Sequence, residues 1–191
     1  MITKDIPSDL KACIGFHGHL CPGLTIGYAA AKLALEKLKQ KRVRDEELVC
    51  ITMTDSCAVD AIQFMTGCTL GKGNLIFQDL GKMVFIFMRR TKRGSATGVR
   101  LSLNPQVMQK RLSPAIQKDK AAAALTLLSL SAEKLFNVQA VQDYPLPERA
   151  RIFPSKPCSS CGEPTMEPRL RVEEGKLVCP ECVKHQYARG W

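Results

Sequence analysis

The stretch LIFQDLGKMVFIFMRRTKRGSATGVRLSL, residues 75–103, decides the fold because it alternates apolar runs with turn residues. It contains three apolar runs of strand length: Leu75–Phe77, Met83–Met88 and Gly98–Leu103. Gly81 and Lys82 mark a turn between the first two runs, and Arg89–Gly94 marks the next turn. Apolar runs bounded by turn residues are typical of strands, so this stretch predicts a meander.

Helical patterns precede and follow these strands. From Pro22 to about Gln40 apolar residues recur at helical spacing, and Cys21 is the predicted N-cap because proline suits the first helical position. Further elements are predicted around this helix: a strand over Leu48–Met53, a helix capped by Asp55 or Ser56 that runs to Met65 and stops at Gly67, helices over Val107–Gln117 and Asp119–Leu130, and a strand over Phe136–Val141. This order predicts an α+β fold, with helices packed on a mixed or antiparallel sheet, rather than regular βαβ alternation.

The composition is that of a globular protein. The chain has 191 residues, of which 45% are hydrophobic and 24% charged. It has no apolar run long enough to cross a bilayer and no signal peptide at its beginning, so we expect a cytoplasmic protein without membrane contact. Nine cysteines without an export signal favour metal ligands, reactive thiols or buried apolar side chains over disulfides.

The charge is strongly positive, with a formal net value of +10. Two basic clusters lie at 37–44 and 89–93, and such clusters can attract polyanions. The simpler interpretation is a helix end and a hairpin tip kept in solution by charge. Because no aromatic residues interleave with these charges, we favour that interpretation and expect no nucleic-acid binding by the core.

The segment 143–157, DYPLPERARIFPSKP, contains four prolines and little periodicity. That composition predicts a semi-rigid linker. We therefore expect an α+β core over 1–142, a linker over 143–157 and a small finger over 158–191.

The finger carries the strongest single motif. Two CxxC pairs are separated by seventeen residues: Cys158 with Cys161, and Cys179 with Cys182. This spacing predicts one structural zinc ion with four thiolate ligands, whose binding folds the segment. We expect a hairpin around 173–175 and a short helix from Cys182 to Tyr187, as in a treble-clef or zinc-ribbon finger. His185 is not expected to be a ligand.

A second candidate site lies near the beginning of the chain, where His17, His19 and Cys21 alternate. In an extended segment alternate side chains share one face, so these three could converge on a point. Cys21 and Cys57 each lie near a predicted helix start, where the helix dipole favours thiolate. These ligand types suit zinc or another first-row ion, in a pocket that could be catalytic, and spacing leaves open which of them bind.

Other residues are assigned more weakly. Asp55 or Asp60 could orient a ligand, and Lys72, in a glycine-rich loop, could offer a charge to an anionic substrate. Cys68 is equally well interpreted as a thiol that lines the pocket or as a buried apolar side chain. Cys13 and Cys50 lie in apolar patterns and are expected in the core.

Three motifs in this order resemble the FmdE-like family, which takes its name from a component of formylmethanofuran dehydrogenase: residues 16–23, FHGHLCPG; residues 55–63, DSCAVDAIQ; and residues 66–75, TGCTLGKGNL. The resemblance covers about residues 10–140. It implies a core similar to the catalytic domain of glyceraldehyde-3-phosphate dehydrogenases, a homodimer, and a metal pocket that matches His17, His19, Cys21 and Cys57. The family is named after a molybdenum- or tungsten-dependent complex whose redox cofactor belongs to other subunits. The tail is similar to four-cysteine fingers attached to several members.

Two functions from different classes follow. In the first, the chain is a metal-binding protein of one-carbon or redox metabolism, either an oxidoreductase or an accessory subunit of a larger complex, with an unidentified small-molecule substrate. In the second, the finger contacts nucleic acid or a protein and the core is a sensor or scaffold. A dimeric subunit with a vestigial pocket is the third interpretation.

Overall fold

The computed structural model divides the chain into two compact units, 1–150 and 151–191. It describes residues 6–90, 96–107, 109, 119–142, 144, 146 and 148–185. The first unit contains helices α1 (Ser8–His17), α2 (Pro22–Lys37), α3 (Ala58–Thr66), α4 (Pro105–Val107), α5 (Lys120–Leu128) and α6 (Ala132–Leu135), and strands β1 (Leu48–Thr52), β2 (Leu75–Phe77), β3 (Val84–Arg90), β4 (Ala96–Leu103) and β5 (Phe136–Gln142). None of the described helices combines the length and apolarity needed to cross a membrane.

The described strands of this unit form one mixed sheet in the order β2-β1-β3-β4-β5. β1 and β2 are parallel, and the other neighbours are antiparallel. The α+β class with helices and a mixed sheet is therefore confirmed. The likeness to the glyceraldehyde-3-phosphate dehydrogenase catalytic domain stays a prediction.

The predicted meander is wrong in one respect, because β2 and β3 are not neighbours. β1 lies between them, and every residue of β1 is buried. A fully buried strand has to pair on both sides to satisfy its backbone groups. The chain consequently forms one βαβ unit, β1-α3-β2, inside a sheet that is otherwise antiparallel.

Both faces of the sheet are covered. Phe85, Phe87 and Leu101 belong to the core cluster that includes the residues of α2, whereas Ile86 and Met88 belong to a cluster on the opposite face. Because side chains alternate along a strand, an apolar run without polar interruption requires two covered faces. The residues Tyr144 and Leu146 pack on the second face, although they lie in the segment predicted to be a linker.

The helix boundaries correct several predictions. α1 was not predicted at all, whereas Cys21 is the N-cap of α2 as expected. α3 begins at Ala58, and among the described residues neither Asp55 nor Ser56 caps it. Gly67 ends α3 with φ +78°, and a Cβ there would lie 2.3 Å from the Val43 carbonyl oxygen.

The downstream helices are shorter than predicted. α4 covers only the beginning of the helix predicted over Val107–Gln117, most of which lies outside the described residues. α5 begins at Lys120, because the Asp119 carboxylate accepts hydrogen bonds from the Ala121 and Ala122 amides. The predicted turn residues 91–94 also lie outside the described part.

The second unit consists of short paired segments. The strands β6 (Ser155–Pro157) and β7 (Pro164–Met166) form one hairpin, and β8 (Arg171–Glu173) and β9 (Lys176–Val178) form another. The second hairpin was predicted, and Glu174 and Gly175 turn it with φ values of +51° and +75°. β6 occupies the end of the predicted linker. Residues 183–185 are not helical, and the rest of the helix predicted up to Tyr187 lies outside the described residues.

Candidate metal centres

The first candidate centre forms where α1 ends and α2 begins. His17 is the last residue of α1, and Gly18 reverses the chain with φ +102° and donates its amide to the Ile14 carbonyl. The predicted extended segment is therefore wrong, since a left-handed turn at glycine replaces it. The three side chains nevertheless meet: the potential ligand atoms of His17, His19 and Cys21 all lie within 4.8 Å of one another.

Asp60 orients the His17 ring. The distance from His17 Nδ1 to Asp60 Oδ2 is 2.7 Å, and Asp60 reaches this position from the first turn of α3. Because a carboxylate only accepts, Nδ1 carries the proton and Nε2 has its lone pair available. Nε2 lies 3.9 Å from Cys21 Sγ. A carboxylate on one nitrogen with a ligand position at the other is the arrangement found at histidine-bound metals.

Cys21 and His19 differ in exposure. The Cys21 thiol is buried at the N-terminus of α2, where its Sγ accepts a hydrogen bond of 3.4 Å from the Leu24 amide. The His19 ring is exposed and lies 4.5 Å, centroid to centroid, from the His17 ring. The group therefore combines a thiol anchored in protein with an imidazole accessible to solvent.

Cys57 lies beside Cys21 but outside the group of three. It packs in the same apolar cluster as Cys21, and a Cβ at Gly23 would approach its Cβ to 3.1 Å. Burial raises the pKa of the Cys57 thiol, and a hydrogen bond with Cys21 adds to the shift. The expectation that a helix start favours thiolate at Cys57 is therefore wrong, because loss of hydration outweighs the dipole.

The donor atoms of this centre fit a first-row metal ion. Two imidazole nitrogens and one or two sulfurs are the ligands that zinc takes, and nitrogen and sulfur together also suit other borderline ions. The carboxylate that fixes His17 completes the fit.

The second candidate centre lies in the finger. Cys158, Cys161, Cys179 and Cys182 each offer a sulfur within 4.8 Å of the others. Cys158 Sγ accepts the amides of Ser160 and Cys179 at 3.4 and 3.3 Å, and such backbone hydrogen bonds lower the pKa of its thiol to about 6. Hydrogen bonds with the Cys179 and Cys161 thiols raise the pKa of Cys182 to about 12. Crowded thiols of this kind become thiolates together only when a cation neutralises them, so the donor set fits zinc.

The remaining predicted residues lie elsewhere. Cys68 is fully buried in the core and donates its thiol to the Leu48 carbonyl, which is the buried alternative. Cys13 and Cys50 are also fully buried, as predicted. Lys72 donates to the Arg44 carbonyl, so its amino group is held at a loop contact. His185 is in contact with Glu173 and is not in the cysteine group.

Sequence reasoning missed the helix that delivers His17. Leu10, Cys13, Ile14 and His17 recur at helical spacing, and Asp9 lies in the first turn, so the signal was present. It also missed a hydrogen-bonded group on this helix and the next, in which Tyr28 donates to Asp9 and Lys32 donates to Tyr28.

Two family models match the chain, one in each unit. A model described as "FmdE, Molybdenum formylmethanofuran dehydrogenase operon" matches residues 16–137, which span α2, α3 and the sheet. The chain belongs to the FmdE family. Residues 151–183 match the second model, the prokaryotic dksA/traR C4-type zinc finger. The family and the zinc finger expected from the motifs are both confirmed.

A solved structure and a curated relative resemble this FmdE-family chain. The structure, an FmdE-like protein of the tungsten formylmethanofuran dehydrogenase type from Syntrophus aciditrophicus, has a TM-score of 0.69 and 22% identity. The match covers 91% of this chain and 89% of that one, and it shows the fold. A relative from Archaeoglobus fulgidus, described as a probable S-adenosyl-L-methionine-binding protein, is 31% identical over 91% of this chain. This chain spans about half of that relative, 52% of its length.

Proposed function

We propose that this chain is a metal-binding protein whose core centre holds zinc or another first-row ion, and that it serves an oxidoreductase, as the enzyme itself or as an accessory subunit. The observation that carries the proposal is the convergence of His17, His19 and Cys21 together with the 2.7 Å contact between His17 and Asp60. The family model supports an association with a dehydrogenase complex. A homodimer and a cytoplasmic location belong to the same proposal.

In this proposal His17 Nε2, His19 and Cys21 Sγ are ligands, and Cys57 is the fourth. A bound ion would supply a Lewis acid, and with three protein ligands one position would stay open to a water molecule or substrate. Asp60 holds the proton on His17 Nδ1, which keeps Nε2 in its ligating form. Because the His19 ring is exposed, a reactant can reach the centre from that side.

Replacement of a core ligand is expected to remove one of two metal equivalents. Cys57→Ser and, separately, His19→Ala in the full chain should each lower the metal content from two equivalents to one, with the finger still folded. Elemental analysis of protein purified without affinity metals measures this, and NMR amide dispersion reports on the finger. Cys68→Ala is the matched control, because that thiol is buried away from the centre.

The outcomes separate the ligand sets. If both variants retain two equivalents, the core-centre proposal fails. If only Cys57→Ser retains two, the ligands are His17, His19 and Cys21, and Cys57 packs beside them.

Asp60→Asn is expected to weaken the core centre selectively. The amide keeps the shape of the side chain but loses the charge that fixes the His17 tautomer, so metal affinity should fall about 10- to 100-fold. Competition with a chromophoric chelator measures the affinity of each centre. An unchanged core affinity would mean that the contact with His17 only stabilises the fold.

A second function is favoured by the surface of the finger. Three large aliphatic side chains of this unit are exposed, Ile152, Met166 and Val172, the last with 74% of its surface accessible. We propose that the finger also contacts a protein, since exposed aliphatic side chains suit protein partners better than polyanions. Salt-dependent binding of random DNA that disappears with residues 151–191 would instead favour a nucleic-acid function.

A further inference from the structure

A cavity of about 220 Å³ opens beside Asp60 in the first unit. Asp55, Asp60 and Gln63 contribute polar side chains to its wall, and Val59, Leu70 and Phe77 contribute apolar ones. Asp60 is also the residue that contacts His17, so the cavity adjoins the candidate core centre. Neither of the two functions proposed above uses this cavity.

The βαβ unit creates the cavity. β1 and β2 run parallel, with Thr52 opposite Phe77 at their carboxyl ends, and α3 crosses between them. The chain leaves β1 at Thr52 and passes through Asp55 before α3 begins, which places polar loop residues at the strand ends. A crevice at the carboxyl ends of parallel strands is where α/β proteins bind ligands.

The hydrogen-bonding capacity of the wall is unevenly used. Thr52 Oγ1 donates to the Thr54 carbonyl, and Thr54 Oγ1 accepts the Ser56 amide, so both hydroxyls are engaged within the loop. Neither Asp55 nor Asp60 forms an ion pair with any lysine or arginine in the described part of the chain. Two carboxylates in one cavity without a basic neighbour make it negative.

The rim of the cavity is apolar and open to solvent. Leu70 is 73% exposed and Phe77 is 46% exposed, although both are large hydrophobic residues. A concave site with apolar walls and a few polar groups is the usual form of a small-molecule site. An apolar group on the ligand would cover these side chains while its charge faced the carboxylates.

We infer that this cavity binds a small organic cation, an amine or amidine joined to a short apolar or aromatic group. The two carboxylates repel anions, and a neutral apolar ligand would leave them desolvated and unpaired. The inference deepens the proposed function and rests on it, because the shared Asp60 places the bound cation next to the metal centre. The cavity therefore selects the charge and size of what approaches that centre.

Three probes of similar shape test the inference on the full-length, ¹⁵N-labelled protein: phenethylamine, 2-phenylethanol and 3-phenylpropionate. We expect phenethylamine to shift the amides of Asp55, Val59, Gln63 and Leu70 with millimolar affinity, typical of fragments. The alcohol should bind at least about fivefold more weakly, and the carboxylate should cause no shifts there. Asp55→Asn should weaken phenethylamine about tenfold without changing the metal content, because Asp55 is not in the candidate centre.

The matched control is Glu36→Gln, which removes a carboxylate that lines a different cavity, between α2 and α5. It should leave phenethylamine binding unchanged. Equal binding of the three probes, no shifts up to about 10 mM, or shifts confined to the other cavity would each overturn the inference. Metal content measured on the same samples reports on the proposed function separately: loss of amine binding with two metals present refutes the cavity alone, and a missing core metal with amine binding intact refutes the centre alone.

Discussion

Cys158→Ser should abolish the fold of the finger while leaving the first unit intact. The Cys158 thiol is 2% exposed and sits among the other three cysteines, with two amides directed at its sulfur. The unit has only a small apolar cluster, which consists chiefly of the cysteines themselves and two valines. Structural zinc contributes about 10–16 kcal/mol of apparent binding free energy in such peptides, and that stabilisation would be lost.

NMR spectra and elemental analysis measure this result. The amides of residues 151–185 should collapse to random-coil positions, and one metal equivalent should disappear. His185→Ala is the control, because that ring contacts Glu173 at the surface and should leave both metals bound. A finger that stays folded in Cys158→Ser, with its metal retained, would contradict the four-cysteine centre.

Gly27→Ala is expected to cause the largest loss of stability in the first unit. A Cβ at Gly27 would lie 2.0 Å from the carbonyl oxygen of Ala58 and 2.6 Å from its Cα. Both neighbours are backbone, so the clash can be relieved only by moving α2 away from α3. We expect the free energy of unfolding to fall by about 3 kcal/mol or more, at the upper end of overpacking effects.

Urea denaturation monitored by circular dichroism measures the change. Gly15→Ala is the matched control, because nothing lies within 4 Å of its Cβ position and the residue is inside α1. Alanine in place of a helical glycine should stabilise by about 0.5–1 kcal/mol. Gly27→Ala should also lower the core metal affinity, since α2 and α3 carry Cys21 and Cys57. A variant as stable as the parent would show that the two helices are not held this closely.

Much of the fold could be predicted because local chemistry marks it. Apolar runs of strand length marked β2, β3 and β4 to within a few residues, and Pro22 after Cys21 marked the start of α2. The CxxC spacing marked the four sulfurs that the structure brings together. In each case the signal lies within one segment, where spacing and residue type are sufficient.

Strand order and the partners of the candidate ligands depend on contacts between distant segments. The insertion of β1 between β2 and β3 follows from burial of both faces of the sheet, which no turn signal contains. Asp60 contacts His17 across 43 residues of sequence, and Cys68 points into the core although its motif resembles that of a site residue.

The sequence by itself determined the two groups of metal-binding residue types, the α+β class and the family. Tertiary structure alone decided that Gly18 turns the chain so that two histidines and a cysteine meet, that burial raises the Cys57 pKa, and that a negative cavity adjoins the centre. The physical reason is the same in each case. Hydration, distance and charge at a site depend on which segments pack together, and packing is a property of the whole chain.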